Sequence, residues 1–179
     1  MGLRHTPIAV AAILALLVVA PAPAATPSTT VVSKHYRYSM VVPGSPKYWT
    51  RNYAIISWTV GGVERDVPEF DTITDSRVNR FFIIGARNEP RGTTLDAWTK
   101  FFTSFNELGC KLTSSVSSSS IGGGPARAFA YSCGDGVQGR GLTMLHGERG
   151  YFMLLSSFSR PTASDQAVLN AARSSFRFT

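Results

Sequence analysis

The sequence is short of the side chains from which metal centres and nucleophilic machinery are built. Its 179 residues include two cysteines and three histidines. No closely spaced His/Cys/Asp group has the separations of a metal site, so no metal or other cofactor is expected. No G-x-S-x-G elbow occurs, which leaves a hydrolase triad without a serine positioned on a sharp turn. No phosphate loop with its Lys-Ser/Thr pair occurs. Acidic residues are also few, 11 against 18 Lys and Arg, for a net charge of +7. The cations are scattered, whereas an arm that binds nucleic acid carries a dense run. There is no internal repeat. The uncharged run Ile8 to Ala20 is 13 residues long, short of the roughly 20 that span a bilayer, and no later stretch approaches membrane length.

What is present begins with an export signal. Arg4 and His5 precede the apolar run and Ala22-Pro23-Ala24 follows it. A basic start, a short apolar segment and an A-x-A site predict a secretory signal peptide over residues 1–24, cut after Ala24. An uncleaved anchor is the other reading of the run. No cysteine near the cleavage site could carry a bacterial lipid anchor. Removing residues 1–24 leaves 155 residues, the size of one ordinary domain, with a net charge of +6. The expected location is outside the cytoplasmic membrane: secreted, periplasmic or cell-wall associated. A basic exported chain suits a protein or an anionic envelope component as partner, and export argues against nucleic acid. Scattered charge is equally the mark of an ordinary solvated surface.

Residues 25–34 are small and polar and predict a flexible N-terminal segment. Tyr36, Tyr38, Met40 and Val42 then alternate with His35, Arg37, Ser39 and Val41, the period of a half-buried strand, ended by Pro43-Gly44-Ser45-Pro46. Tyr53 to Val60 is a second strand, with Gly61-Gly62 turning into Val63–Val67. Residues 68–78 look like an acidic, turn-rich loop. Phe81 to Ala86 predicts a strand buried on both faces. A helix follows, with Thr93 as cap, Asp96 three residues on, and Leu95, Trp98, Phe101 or Phe102, and Phe105 on one face. Gly109 ends it.

The segment CKLTSSVSSSSIGGGPARAFAYSC predicts a hairpin, although its serine run also fits a linker. Centring the turn in Ile121-Gly122 puts Leu112, Val116, Phe129 and Tyr131 on one face and Lys111, Thr113, Ser115, Ala128 and Ala130 on the other. Two more strands lie near Gly139–His146 and Tyr151–Phe158. A last helix starts near Thr162, with Asp165 in its first turn, and runs into a short strand at Phe176 and Phe178. The fold class expected is α+β: a single domain over residues 35–179, mainly an antiparallel sheet with helices packed on it.

In order along the chain, YSMVVP with Trp49, a strand entering GTTLDAW, IGGGPARAF, a glycine-turn hairpin and a closing helix into SSFRF resemble the PsbP-like family. That family includes the photosystem II extrinsic protein, the DcrB-type envelope proteins and the LpqN-type lipoproteins. The resemblance covers most of residues 35–179. It implies an α/β/α sandwich and an accessory or binding role, and it brings no site residue with it. The chain lacks the lipid-bearing cysteine of the lipoprotein members.

Candidate chemistry is sparse. Gly134-Asp135-Gly136-Val137-Gln138-Gly139 fits G-x-G-x-x-G, but a strand pattern follows where a dinucleotide site needs a helix, and Asp-Gly favours a hairpin turn. His35 and His146 are the histidines left after signal removal and the candidates for a hydrolase. Glu69, Asp71 and Asp75 could hold a hard cation, without the spacing of an EF-hand, or could be solvated. Arg91 and Thr93, at the start of the first helix, form either a simple connection or a weak anion site. Cys110 and Cys133 face each other in the hairpin register, which was set by apolar alternation, and are expected to form a structural disulfide. The expected function is a non-enzymatic accessory or binding domain. The alternatives are a secreted hydrolase using His35 or His146 and a carrier of a small apolar ligand.

Overall fold

In β12 (Arg149–Ser157), Tyr151, Met153 and Leu155 enter one hydrophobic cluster, while Phe152 and Leu154 enter another. A strand with apolar residues at both parities must be covered on both faces, and this requirement organises the molecule. The computed structural model describes residues 27–54, 58–60, 63–65, 70–104, 110–134 and 136–179. The other strands are β1 (Ser28–Ser33), β2 (Tyr38–Pro43), β3 (Trp49–Ala54), β4 (Trp58–Val60), β5 (Val63–Arg65), β6 (Phe70–Asp75), β7 (Arg80–Asn88), β8 (Cys110–Leu112), β9 (Ser117–Ile121), β10 (Gly124–Cys133), β11 (Gln138–His146) and β13 (Arg177–Phe178). The helices are α1 (Leu95–Thr103) and α2 (Ala163–Ser175).

The main sheet has the order β3-β6-β7-β12-β11-β10-β8, with β9 also on β10. All its pairings are antiparallel. One face is closed by α1. The other is closed by α2 together with a three-stranded sheet, β1-β2-β13. The expected α+β domain is therefore present, and one of its outer layers is part helix and part sheet. β4 and β5 pair with each other, Val60 opposite Val63. Gly61-Gly62, Glu69, Phe105, Gly109, Asp135 and the whole of the expected signal peptide with Ala24 lie outside the described residues.

Four expectations are corrected. Ser28–Ser33, placed in a flexible segment, is β1. Its alternate residues Thr29, Val31 and Ser33 are buried against the core, and the Thr29 hydroxyl donates to Gly44 O. Small polar side chains conceal a strand when their hydroxyls are satisfied locally. Phe70–Asp75, placed in a solvated loop, is a strand of the main sheet. The helix cap is Thr94, whose hydroxyl accepts from Ala97 N, because the Thr93 hydroxyl donates instead to Pro90 O.

The serine hairpin is the fourth. Leu112 pairs with Tyr131 as expected, but Ile121 pairs with Gly124 and Ser117 with Ala128. Residues 113–116 absorb a two-residue slip. The turn is Gly122-Gly123, with φ of +57° and +80°, the primed geometry that suits the twist of a hairpin. A slip of two preserves the face of every side chain, so Ile121 enters the core beside α2. Leu112 and Val116 remain exposed.

Candidate functional site

The corner between β7 and α1 is a shallow hollow of about 200 Å³, lined in part by Glu89, Arg91, Thr93 and Glu148. Its loop is tied locally, with Thr93 donating from N and Oγ1 to Pro90 O at 3.0 and 2.8 Å. Arg91 is almost fully exposed, its Nε 3.7 Å from Glu148 Oε1. Glu89 is largely buried, its Oε1 2.7 Å from Arg87 Nε. The corner thus brings Arg91 and Thr93 together, but with two carboxylates beside them. An anion placed there would meet as much negative charge as positive.

The two histidines are separately engaged with aromatic rings. His146 lies flat on Phe178, ring centroids 3.8 Å apart. His35, in the turn from β1 to β2, packs edge-on against Tyr36 and Tyr53, with its Nε2 3.5 Å from the Tyr53 hydroxyl. A general base needs a nucleophile and an orienting carboxylate within hydrogen-bond reach; the contacts of His146 with Phe178 and of His35 with Tyr36 and Tyr53 are those of aromatic packing. Among the described residues no group of His, Cys, Asp and Glu could hold a metal ion. The G-x-G-x-x-G segment links β10 to β11 as a hairpin, Cys133 N donating to Val137 O. With a strand on each side, no helix N-terminus meets it. Cys110 and Cys133 form the disulfide, S–S 2.00 Å, their Cα atoms 3.8 Å apart and so drawn in from the roughly 4.5–5.5 Å of ordinary cross-strand partners. It clips the base of the serine hairpin.

The densest electrostatic feature lies where an exposed loop was expected. Asp71 and Asp75 are fully buried on β6. Asp71 accepts from the Tyr38 hydroxyl at 2.8 Å and from Arg51 Nε and Nη2 at 3.0 and 2.7 Å. Burial, with Asp71 beside it, pushes the Tyr38 hydroxyl far above its ordinary pKa. Asp75 accepts from Arg77 Nε and Nη2, both at 2.8 Å, and from Arg80 Nη2, also at 2.8 Å. Burial alone would raise the Asp75 pKa, but the bonds from Arg77 and Arg80 outweigh it and hold it at about 2. Arg80 continues to Ser164 and Asp165 on α2 at 3.0 and 3.1 Å. Asp165 also closes the capping box with Thr162, and its pKa is lowered against burial by Thr162 and Arg80. The sequence did carry a sign of this: in FDTITD, Asp71, Ile73 and Asp75 share one parity and Thr72, Ile73 and Thr74 are β-branched, as in a strand.

Burying Asp71, Asp75 and Asp165 takes negative charge off the surface. The most exposed carboxylates among the described residues are Asp96 and Glu148, near the β7–α1 corner. Lys47, Arg77 and Arg160 are exposed at the opposite end of the sheet. What the arrangement offers, among the described residues, is a basic surface on a scaffold pinned by ions.

No family model and no curated protein matches the sequence. Among solved structures, the fold is similar to the solution structure of cyanobacterial PsbP (CyanoP) from Synechocystis sp. PCC 6803. The TM-score is 0.59 at 13% identity, over 89% of this chain and 96% of that one. The PsbP-like fold is thereby shown. The likeness to DcrB-type and LpqN-type proteins rests on the sequence motifs alone.

Proposed function

We propose that this chain is an exported, non-enzymatic accessory domain that binds a protein or an anionic component of the cell envelope. The observation that carries this reading is the distribution of charge: Asp71, Asp75 and Asp165 are spent inside the molecule, so its exposed charge is predominantly basic among the described residues. The resemblance to PsbP-like proteins implies the same class of role. In this reading residues 1–24 are a signal peptide cut after Ala24, and the Cys110–Cys133 bond suits the oxidising compartments that export reaches. The carrier alternative draws no support from the hollow lined by Gln138, Arg140, Leu155 and Asp165, which at about 10 Å³ has room for no more than a single water.

The test uses the purified mature protein in two arms. In the first, it is bound to a resin and exposed to a native envelope fraction, and a reproducible, salt-sensitive partner is expected. In the second, generic ester, peptide and phosphate substrates are offered, and no turnover is expected. Turnover that vanishes in His35→Ala or His146→Ala replaces the binding reading with the hydrolase.

A further inference from the structure

The end of the sheet opposite the β7–α1 corner carries two adjoining turns, 76–79 and the bend after β12. Phe158 N donates to Asn79 O across them. Their apolar side chains face water: Phe158 is 59% and Val78 48% exposed. Phe81, half-buried, packs beneath Phe158 with ring centroids 5.8 Å apart. Next to the first turn, the Tyr48 ring is flanked by Lys47 Nζ and the Arg77 guanidinium, at 4.8 and 4.9 Å from its centroid. Arg160 is exposed two residues beyond Phe158. The acids of this end, Asp75 and Asp165, are buried on Arg77 and Arg80 and cancel those two cations. Lys47 and Arg160 are left as surplus positive charge, and none of the described carboxylates at this end is exposed.

We propose that this tip docks the protein on an anionic bilayer surface, with Phe158 and Val78 entering the headgroup boundary and Lys47 and Arg160 facing lipid phosphates. The proposal rests on the binding reading above and names its partner. A stable protein–protein contact covers about 800 Å² per side and uses charges of both signs for register. Here two exposed apolar side chains stand on turns, and the uncancelled charges beside them among the described residues, Lys47 and Arg160, are both positive. A lipid surface needs no matching shape, and aromatic tips with long cations beside them suit its boundary.

The test is flotation of the mature protein with vesicles of phosphatidylcholine alone and of phosphatidylcholine mixed with phosphatidylglycerol. Binding is expected with the mixed vesicles, weakening as salt rises. Each cation near an anionic leaflet changes partitioning about fivefold, so Lys47→Gln with Arg160→Gln should lower it about 25-fold. Phe158→Ser should lower it on the order of tenfold, and Val78→Ser less, with near-ultraviolet circular dichroism confirming that each variant folds. Absence of anion-dependent flotation, or flotation indifferent to all these variants, overturns the proposal. If the wild type ignores vesicles but retains an acidic envelope protein that the Lys47/Arg160 variant loses, the lipid occupant is wrong and the binding reading stands. Loss of both vesicle and envelope binding overturns both.

Discussion

The two faces of the main sheet are closed by different chemistry. On the α1 face, Trp98 is fully buried over β12 and donates from Nε1 to Tyr151 O at 2.9 Å. Phe101, Phe102, Phe129 and Phe152 complete a chain of aromatic contacts around it. Gly150 lets the indole approach; a Cβ there would lie 2.6 Å from Trp98 Cδ2. On the opposite face, β1, β2, β13 and α2 bring an apolar core of their own, with buried ion pairs at its margins. One short helix can seal a face by non-directional burial. A cover assembled from pieces distant in sequence needs directional contacts to fix their positions, and Arg80, bonded at once to β6 and α2, is such a contact.

The comparison predicts equal losses with different origins. Trp98→Ala removes the plug of the α1 face and should cost about 3–5 kcal/mol. Asp75→Ala leaves buried Arg80 without its nearest carboxylate and should cost a similar 3–5 kcal/mol or so. Urea denaturation measures both. A loss under about 1 kcal/mol for Asp75→Ala would make the ionic face no more than a solvated surface.

Acid should then separate the faces. Asp75 titrates near 2 when folded against 3.8 in the unfolded chain, and Asp165 is shifted in the same direction. Depressed carboxylates contribute stability that is complete above the unfolded value and is lost as pH falls through the folded one. The Asp75 share is roughly 2 kcal/mol, disappearing between about pH 5 and pH 1. Denaturation midpoints across that range should fall steeply in the wild type and in Trp98→Ala, and more gently in Asp75→Asn. A parallel fall in all three would remove Asp75 from the account.

The smallest effect sharpens the α1 face. Thr94→Ala should cost about 1 kcal/mol through the lost cap bond to Ala97 N, and Thr93→Ala less. The reverse order in thermal melting would return the cap to Thr93.

How legible each face was follows from the same physics. The α1 stripe, the alternation in β2, the two covered faces of the Phe81–Ala86 run in β7, the Thr162–Asp165 cap and the opposition of Cys110 to Cys133 all depend on neighbours within a few residues or on one hairpin. Local periodicity therefore determines them, and with them the α+β class. The burial of Asp71 and Asp75 depends on arginines at 51, 77 and 80, and on strand and helix partners as far away as residue 165. Without those partners a carboxylate belongs in water, so the run around FDTITD looked like a loop. Thr29 and Ser33 in β1 were hidden in the same way, because a small hydroxyl is polar until the fold gives it a partner. For the candidate surface, the sequence by itself determined that positive charge is in excess. Only the tertiary structure decided which charges are buried against one another and which are left at the Phe158 tip, because the solvation of an ion is set by what surrounds it and not by its place in the chain.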